Sequence, residues 1–264
     1  MGAKRKIWVT RLLLLAAIVV AAALVASIPV HWAMKLLIYV IGISVGATIA
    51  FRTVAAFDPR GRIQWRLPRS ARKAKACALT FDDGPSADTD KVLDILAAAK
   101  VKATFFVLAG NARRHPNILR RVAREGHTVA VHGNTHRKLH QATEAVVQEE
   151  LSTAAAALEA LGAKPARLYR TPHGLKNAAV FTVANRLGYK LWAWSRGIWD
   201  TDHPASDVLV DRATRFAQPG MVLLLHDGRG DEVNPDIGAM VEALPQIVSR
   251  LESAGFRFVT LDSV

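Results

Sequence analysis

Two aspartates stand side by side in the stretch Leu79-Thr80-Phe81-Asp82-Asp83-Gly84-Pro85, between an apolar run and a Gly-Pro break. Like charges repel, so an adjacent carboxylate pair at the end of an apolar run calls for a cation. Further along, His132 and His136 are spaced i, i+4. If that segment turns as a helix, both imidazoles share a face and can reach one metal ion. With Asp83 they form a His₂-carboxylate set that leaves a position for water; Zn²⁺ suits these donors, and other divalent ions also fit. Asp82 then stands beside the water as a general base. Arg170, in Arg170-Thr171-Pro172-His173-Gly174, can pair with Asp82, keep it ionised and aim it. Pro172 and Gly174 fix that turn so that backbone N–H groups can face the site. His226 closes the run Leu223-Leu224-Leu225 and is the natural general acid for a leaving amine. Each motif has a plainer reading alone: a capped turn, two surface histidines, a surface arginine, a core histidine.

These residues can meet only if distant segments end on one rim. From residue 76 short apolar runs alternate with stretches of helical spacing. Strands are expected at 77–82, 103–108, 127–132, 167–170, 189–194, 221–226 and 257–261, where β-branched and aromatic residues gather. Helices are expected at 88–100, 116–125, 143–161, 177–187, 205–217 and 237–254. Such β–α steps imply an α/β parallel sheet with right-handed crossovers, closed as a barrel or left open. Asp82, Asp83, His132, Arg170, Trp194 and His226 all fall at strand ends, where parallel α/β folds build their sites.

With these motifs on one rim, the chain from about 76 to 264 resembles the NodB-type polysaccharide deacetylases, metal-dependent hydrolases of N-acetyl and sometimes O-acetyl groups on sugars. Thr80-Phe81-Asp82-Asp83-Gly84-Pro85 matches that family's first motif in full. His132-x-x-x-His136 matches the second, Arg170-x-Pro172-x-Gly174 the third, and the apolar run ending in His226 the fifth. The resemblance implies a distorted seven-stranded (β/α) barrel. It implies Asp82 as base, Asp83, His132 and His136 as metal ligands, and His226 as acid, in agreement with the chemistry above. It further implies that Trp194 and Leu224 line an acetyl pocket, although either reads equally well as core. Pro172 and His173, in the third motif, complete the expected substrate-binding set. Some positions depart from the family pattern. Gly133 replaces a hydroxyl residue, Arg137 a proline, and His173 an aromatic Tyr or Phe. Gly197 stands at the fourth-motif Asp that would support the arginine, which leaves that role to Asp200, to Asp202 or to no residue.

The chain has 264 residues, a net charge of +13 and a pI near 10.4. A nucleic-acid partner is not expected, because the excess is local: residues 1–75 hold 13 Lys/Arg and one acid, Asp58, and the rest is nearly neutral. From Leu12 to Phe51 the only charge is Lys35. One helix of that length would run to about 60 Å, twice a hydrocarbon core, so two transmembrane helices at about 12–28 and 34–51 are expected. A cleaved signal peptide is the plainer reading of the first run, but no clean A-x-A site follows it. Basic clusters on both outer flanks place both ends on the cytoplasmic side of an inner membrane, with membrane lipids as partners. If the second run lies only in the interface, the domain faces outward. The single cysteine, Cys77, excludes an internal disulfide. The expected organisation is an anchor at 1–51, a basic linker at 52–75 and a catalytic domain at 76–264. The expected function is metal-dependent hydrolysis of N-acetyl groups on a glycan or lipid-linked amino sugar. The alternatives are a lipid-linked sugar deformylase, an O-deacetylase on the same scaffold, or a catalytically silent carbohydrate-binding module.

Overall fold

The computed structural model describes residues 16–17, 19–20, 23, 34, 37–46 and 62–264. The chain divides into two compact units, Met1–Phe57 and Asp58–Val264. In the second, the apolar runs become strands β1 (Ile63–Gln64), β2 (Ala76–Asp82), β3 (Thr104–Leu108), β4 (Thr128–Gly133), β5 (Leu168–Tyr169), β6 (Lys190–Trp192), β7 (Arg196–Gly197), β8 (Val222–His226) and β9 (Arg257–Phe258). Among the described residues every ladder is parallel. The order is β1-β6-β5-β4-β3-β2-β8-β7, with β9 beside the first residues of β2. All seven residues of β2 are buried, which is why it reads as an unbroken apolar run rather than an alternating one. Phe81 and Phe105 stack across β2 and β3 with ring centroids 4.9 Å apart.

The six expected helices form at Thr89–Ala98, Pro116–Arg124, Glu144–Ala160, Ala178–Arg186, Ser206–Thr214 and Gly238–Ser253. Two short helices, Arg69–Lys73 and Ala109–Arg114, and the two-residue strands β1 and β7 were not expected. They are too short to carry a hydrophobic period.

β6 and β7 are halves of one broken strand. Lys190–Trp192 pairs with β5, whereas Arg196–Gly197 pairs with β8. Between them Ala193 N donates to Gln64 O (2.9 Å) and Ser195 N donates to Val222 O (3.1 Å). The sheet is thereby curled into a half-barrel. It has the parallel order expected of the seven-stranded barrel, with the seam spanned by this crossing segment and by β1. Residues 62–75, expected as linker, are folded into the unit. Leu67 is 1 % exposed, packs in the cluster containing Phe106 and Trp192, and its N–H donates to Gly220 O (2.9 Å).

The expected two-pass membrane protein with a cytoplasmic catalytic domain is corrected here. Among the described residues no helix is long and apolar enough to cross a membrane. Most of 12–28 and 34–51 lies outside the described residues. The described helical run there, 37–46, reaches about 15 Å, half of a hydrocarbon core. The sidedness drawn from the charges around those spans falls with them.

Leu67 tests whether the seam belongs to the core. Leu67→Ala should cost about 2–5 kcal/mol of unfolding free energy, read from urea denaturation of the full chain. An unchanged midpoint would show that residues 62–75 are not part of the cooperative unit.

Candidate active site

Side chains alternate along a strand, so adjacent aspartates should face opposite ways. Here the strand ends between them. Asp82 is the last residue of β2, and Asp83 turns into the left-handed region at φ 72°. That rotation puts both carboxylates on the same rim, and both are nearly buried. Asp83 Oδ2 accepts the Gly230 N–H (2.8 Å). Its Oδ1 makes no hydrogen bond, yet His132 Nε2 and His136 Nε2 lie 3.2 and 3.1 Å away. Burial opposes the charge on Asp83, but the two facing imidazoles outweigh it and hold the pKa well below the usual carboxylate range.

His132 and His136 do not share a helical face, as the i, i+4 spacing suggested. His132 lies in β4, and the chain then bends through Gly133 (φ 140°) to His136 (φ 58°). Gly133 therefore has a backbone reason to replace a hydroxyl residue: at φ 140° a side chain is strained. The bend is held by Glu150, buried in helix Glu144–Ala160. Its carboxylate accepts from Asn134 N (2.9 Å), Thr135 N (3.1 Å) and Thr135 Oγ1 (2.6 Å). His132 Nδ1 lies 2.9 Å from Arg170 O; donating there leaves Nε2 as a lone-pair donor facing Asp83. The His136 ring packs against His173, centroids 4.2 Å apart.

Arg170 is 1 % exposed and lies beneath the rim. Nη1 donates to Asp82 Oδ1 (2.6 Å) and Thr80 Oγ1 (2.8 Å), and Nη2 to Ala193 O (2.9 Å). Its guanidinium carbon stands 4.0 Å from the Phe106 ring centroid. The fourth-motif acid expected to support this arginine is elsewhere. Asp200 instead holds His226: Oδ1 lies 2.9 Å from His226 Nδ1, and Oδ2 accepts the His226 backbone N–H (2.7 Å). Burial opposes a charge on His226, but Asp200, aided by Asp83 and Asp82, pushes its pKa up to about 9. Asp202 makes no such contact.

Asp82, Asp83, His132, His136, His173, Trp194, Leu224 and His226 line one cavity of about 410 Å³. Asp82 and His226 are registered neighbours on β2 and β8, strands about 5 Å apart, and both line this cavity. Two expected residues are not in the lining. Arg170 acts from below, and Pro172 packs under Gly133, 3.4 Å from where its Cβ would stand. Gly174 (φ 66°) leaves room for Trp194, whose Cη2 would lie 2.7 Å from a Cβ there. The loop after His226 adds Arg229, Gly230, Asp231 and Glu232 to the rim. Asn111 joins that loop to β2, donating to Asp83 O (2.5 Å) and Gly230 O (2.8 Å).

With this geometry in place, the chain can be compared with known proteins. Residues 69–192 match the family described as Polysaccharide deacetylase. A peptidoglycan-N-acetylglucosamine deacetylase of Bacillus cereus is 32% identical over 210 residues, 78% of this chain and 94% of that one. The chain belongs to the polysaccharide deacetylase family. A chitooligosaccharide deacetylase of Rhizobium leguminosarum bv. trifolii is 36% identical over 190 residues, 69% of this chain and 88% of that protein. A solved peptidoglycan N-acetylglucosamine deacetylase bound to 4-naphthalen-1-yl-N-oxidanyl-benzamide superposes with TM-score 0.70 at 31% identity, covering 76% of this chain and 92% of that one.

The protein is therefore an enzyme, a hydrolase of polysaccharide deacetylase type. Deacetylases of this family depend on a metal, and the donor set fits one. The ligand atoms of Asp83, His132 and His136 lie within 4.8 Å of one another. Three lone-pair donors aimed at one point, one of them an orphaned buried oxygen, are what a divalent cation satisfies. Sequence reasoning missed Glu150, Asn111 and the pairing of Asp200 with His226. Glu150 did leave a signal: Val147, Glu150, Leu151, Ala154 and Leu158 form one helical stripe, so a carboxylate stands on an apolar face.

The Asp200 pairing can be titrated. A histidine whose pKa is raised by a folded partner gains stability that is full below about pH 6.5 and lost as pH rises through about 9. In Asp200→Asn the His226 imidazole should titrate below about 9 in chelator-treated protein, followed by NMR. An unmoved titration would dissociate the two residues.

Proposed function

We propose that the enzyme hydrolyses the acetamide of a 2-acetamido sugar within a glycan, releasing acetate and leaving the free amine. The observation that carries this reading is the Asp82–His226 neighbour pair, an acceptor and a donor of protons on one face, beside the Asp83–His132–His136 set. Zn²⁺ is the ion that two imidazoles and a carboxylate suit best; when bound it supplies a polarised water and a Lewis acid for the carbonyl oxygen. Asp82 is the general base, held and aimed by the Arg170 guanidinium, and accepts the proton of the attacking water. His226, charged up to about pH 9 through Asp200, gives its proton to the departing nitrogen as the C–N bond breaks. Trp194 and Leu224 supply an apolar wall for the acetyl methyl, and His173 braces His136 at the rim.

The named relatives act on peptidoglycan or chitooligosaccharides, which favours a glycan over a lipid-linked sugar. The lipid-linked substrate and the deformylase alternative both leaned on the two-pass topology and lose that support. A silent binding module needs neither a base nor an acid, and the pairing of Asp82 with His226 across β2 and β8 favours catalysis over it.

Two outcomes test the assignments. The His132→Ala, His136→Ala double variant should lose bound metal and acetate release while staying folded; full metal occupancy would refute the ligand set. Asp82→Asn should keep the metal while turnover on N-acetylated oligosaccharides falls by a factor of about 10² or more. Loss of metal in Asp82→Asn but not in Asp83→Asn would mean that the two aspartates have exchanged roles.

A further inference from the structure

The break between β6 and β7 opens a second cavity, of about 220 Å³, which shares no lining residue with the active site. Arg66, Ser195, Arg196, Phe216, Gln218 and Met221 line it, and no carboxylate is among them. Arg66 Nη2 donates to Gln218 Oε1 (2.9 Å) and Pro219 O (3.3 Å), which fixes its guanidinium at the wall. Arg66 Nε and Arg196 Nη2 are buried and make no hydrogen bond. Ser195 Oγ accepts from Val222 N (3.0 Å), so its hydroxyl hydrogen remains to donate. Phe216, 65 % exposed, stands at the mouth with the guanidinium carbons of Arg196 and Arg215 at 5.8 and 5.2 Å from its ring centroid.

A buried N–H of a charged group with no acceptor is costly, and each of the two arginines that line this cavity carries one. We propose that this seam cavity binds an oxyanion of the phosphate class. Two guanidiniums, a hydroxyl and an amide offer more donors than the two oxygens of a carboxylate can accept, and they match the charge and oxygen number of phosphate. The phosphate is either a free ion or a phosphodiester within a polymer. Phe216 at the mouth gives the remainder of a larger ligand an apolar surface.

Calorimetric titration of the full chain with inorganic phosphate, and separately with a glycerol phosphodiester, tests this against sodium chloride at matched ionic strength. Saturable binding is expected, weakened about tenfold or more in Arg196→Gln and again in Arg66→Gln. Hydrolysis of N-acetylated oligosaccharides should continue in both variants, since neither arginine lines the active site. Binding of the diester as well as the ion would identify a polymer phosphodiester; binding of the ion alone would identify free phosphate. Phosphate could also meet a bound metal, so His132→Ala is titrated in parallel. Binding that survives in the arginine variants but vanishes in His132→Ala would overturn the proposal, as would a response equal to that of chloride.

Discussion

A guanidinium buried at the end of β5 sets the conditions for the rest of the site. Asp82 and Asp83 are both nearly dry, and two adjacent carboxylates in a low-dielectric rim would drive one of them to take up a proton. Arg170 meets Asp82 at 2.6 Å and so supplies one of the two compensating charges. The Asp83–His132–His136 set is built for the other. The same arginine also ties the half-barrel together, because its donors reach β2 through Thr80 and Asp82 and the broken strand through Ala193. Thr80 passes the link on, donating to Leu223 O of β8 (2.7 Å). Three separate strands thus owe their relative placement at the rim to one side chain. A buried ion pair adds little net stability over well-packed apolar residues of similar size. Its value here lies in fixing the direction of the Asp82 carboxylate where the apolar core of β2 and β3 ends.

The left-handed turn at Asp83 answers a second constraint. Strand geometry would send neighbouring side chains to opposite faces, and here the Asp82 and Asp83 carboxylates share one cavity. The turn costs backbone strain for a non-glycine residue, of order 1–3 kcal/mol. Asn111 clamps the Asp83 carbonyl, Gly230 donates to its carboxylate, and Leu108 N bonds Gly84 O (3.1 Å), so the surrounding chain over-determines the conformation. The bend from Gly133 to His136 follows the same logic, with Glu150 satisfying the backbone N–H groups that leave the β4 ladder.

Much of this was legible in the sequence because the long elements carry strong periods. β2, β3, β4 and β8 and the six longer helices were read within a few residues, and the parallel order fixed where strand ends would gather. Asp82, Asp83, His132, His136 and His226 were legible because their types and spacing have a chemical meaning. What escaped was set by tertiary contact. β1 and β7 are two residues each, and only their neighbours make them strands. The helical reading of His132–His136 failed because spacing alone does not distinguish a helix face from a strand end followed by a bend. Asp200 was noticed only as one option beside Asp202 for the arginine's support: Nη1 and Nη2 of Arg170 go to Asp82, Thr80 and Ala193, and the Asp200 carboxylate lies on His226 instead.

The broken strand β6–β7 connects the two ends of the argument. An unbroken strand would keep its ladder with β5 and leave β8 without a neighbour on that side. By stepping across at Ala193–Ser195 the chain closes the curl, but the step leaves side chains in irregular backbone. Trp194 is turned toward the active-site cavity, packed on Gly174, while Ser195 and Arg196 face the seam on its other side. The irregularity that puts Trp194 on the active-site cavity is therefore the one that creates the basic seam cavity. Neither could be lost without the other so long as β6 must leave β5 to reach β8.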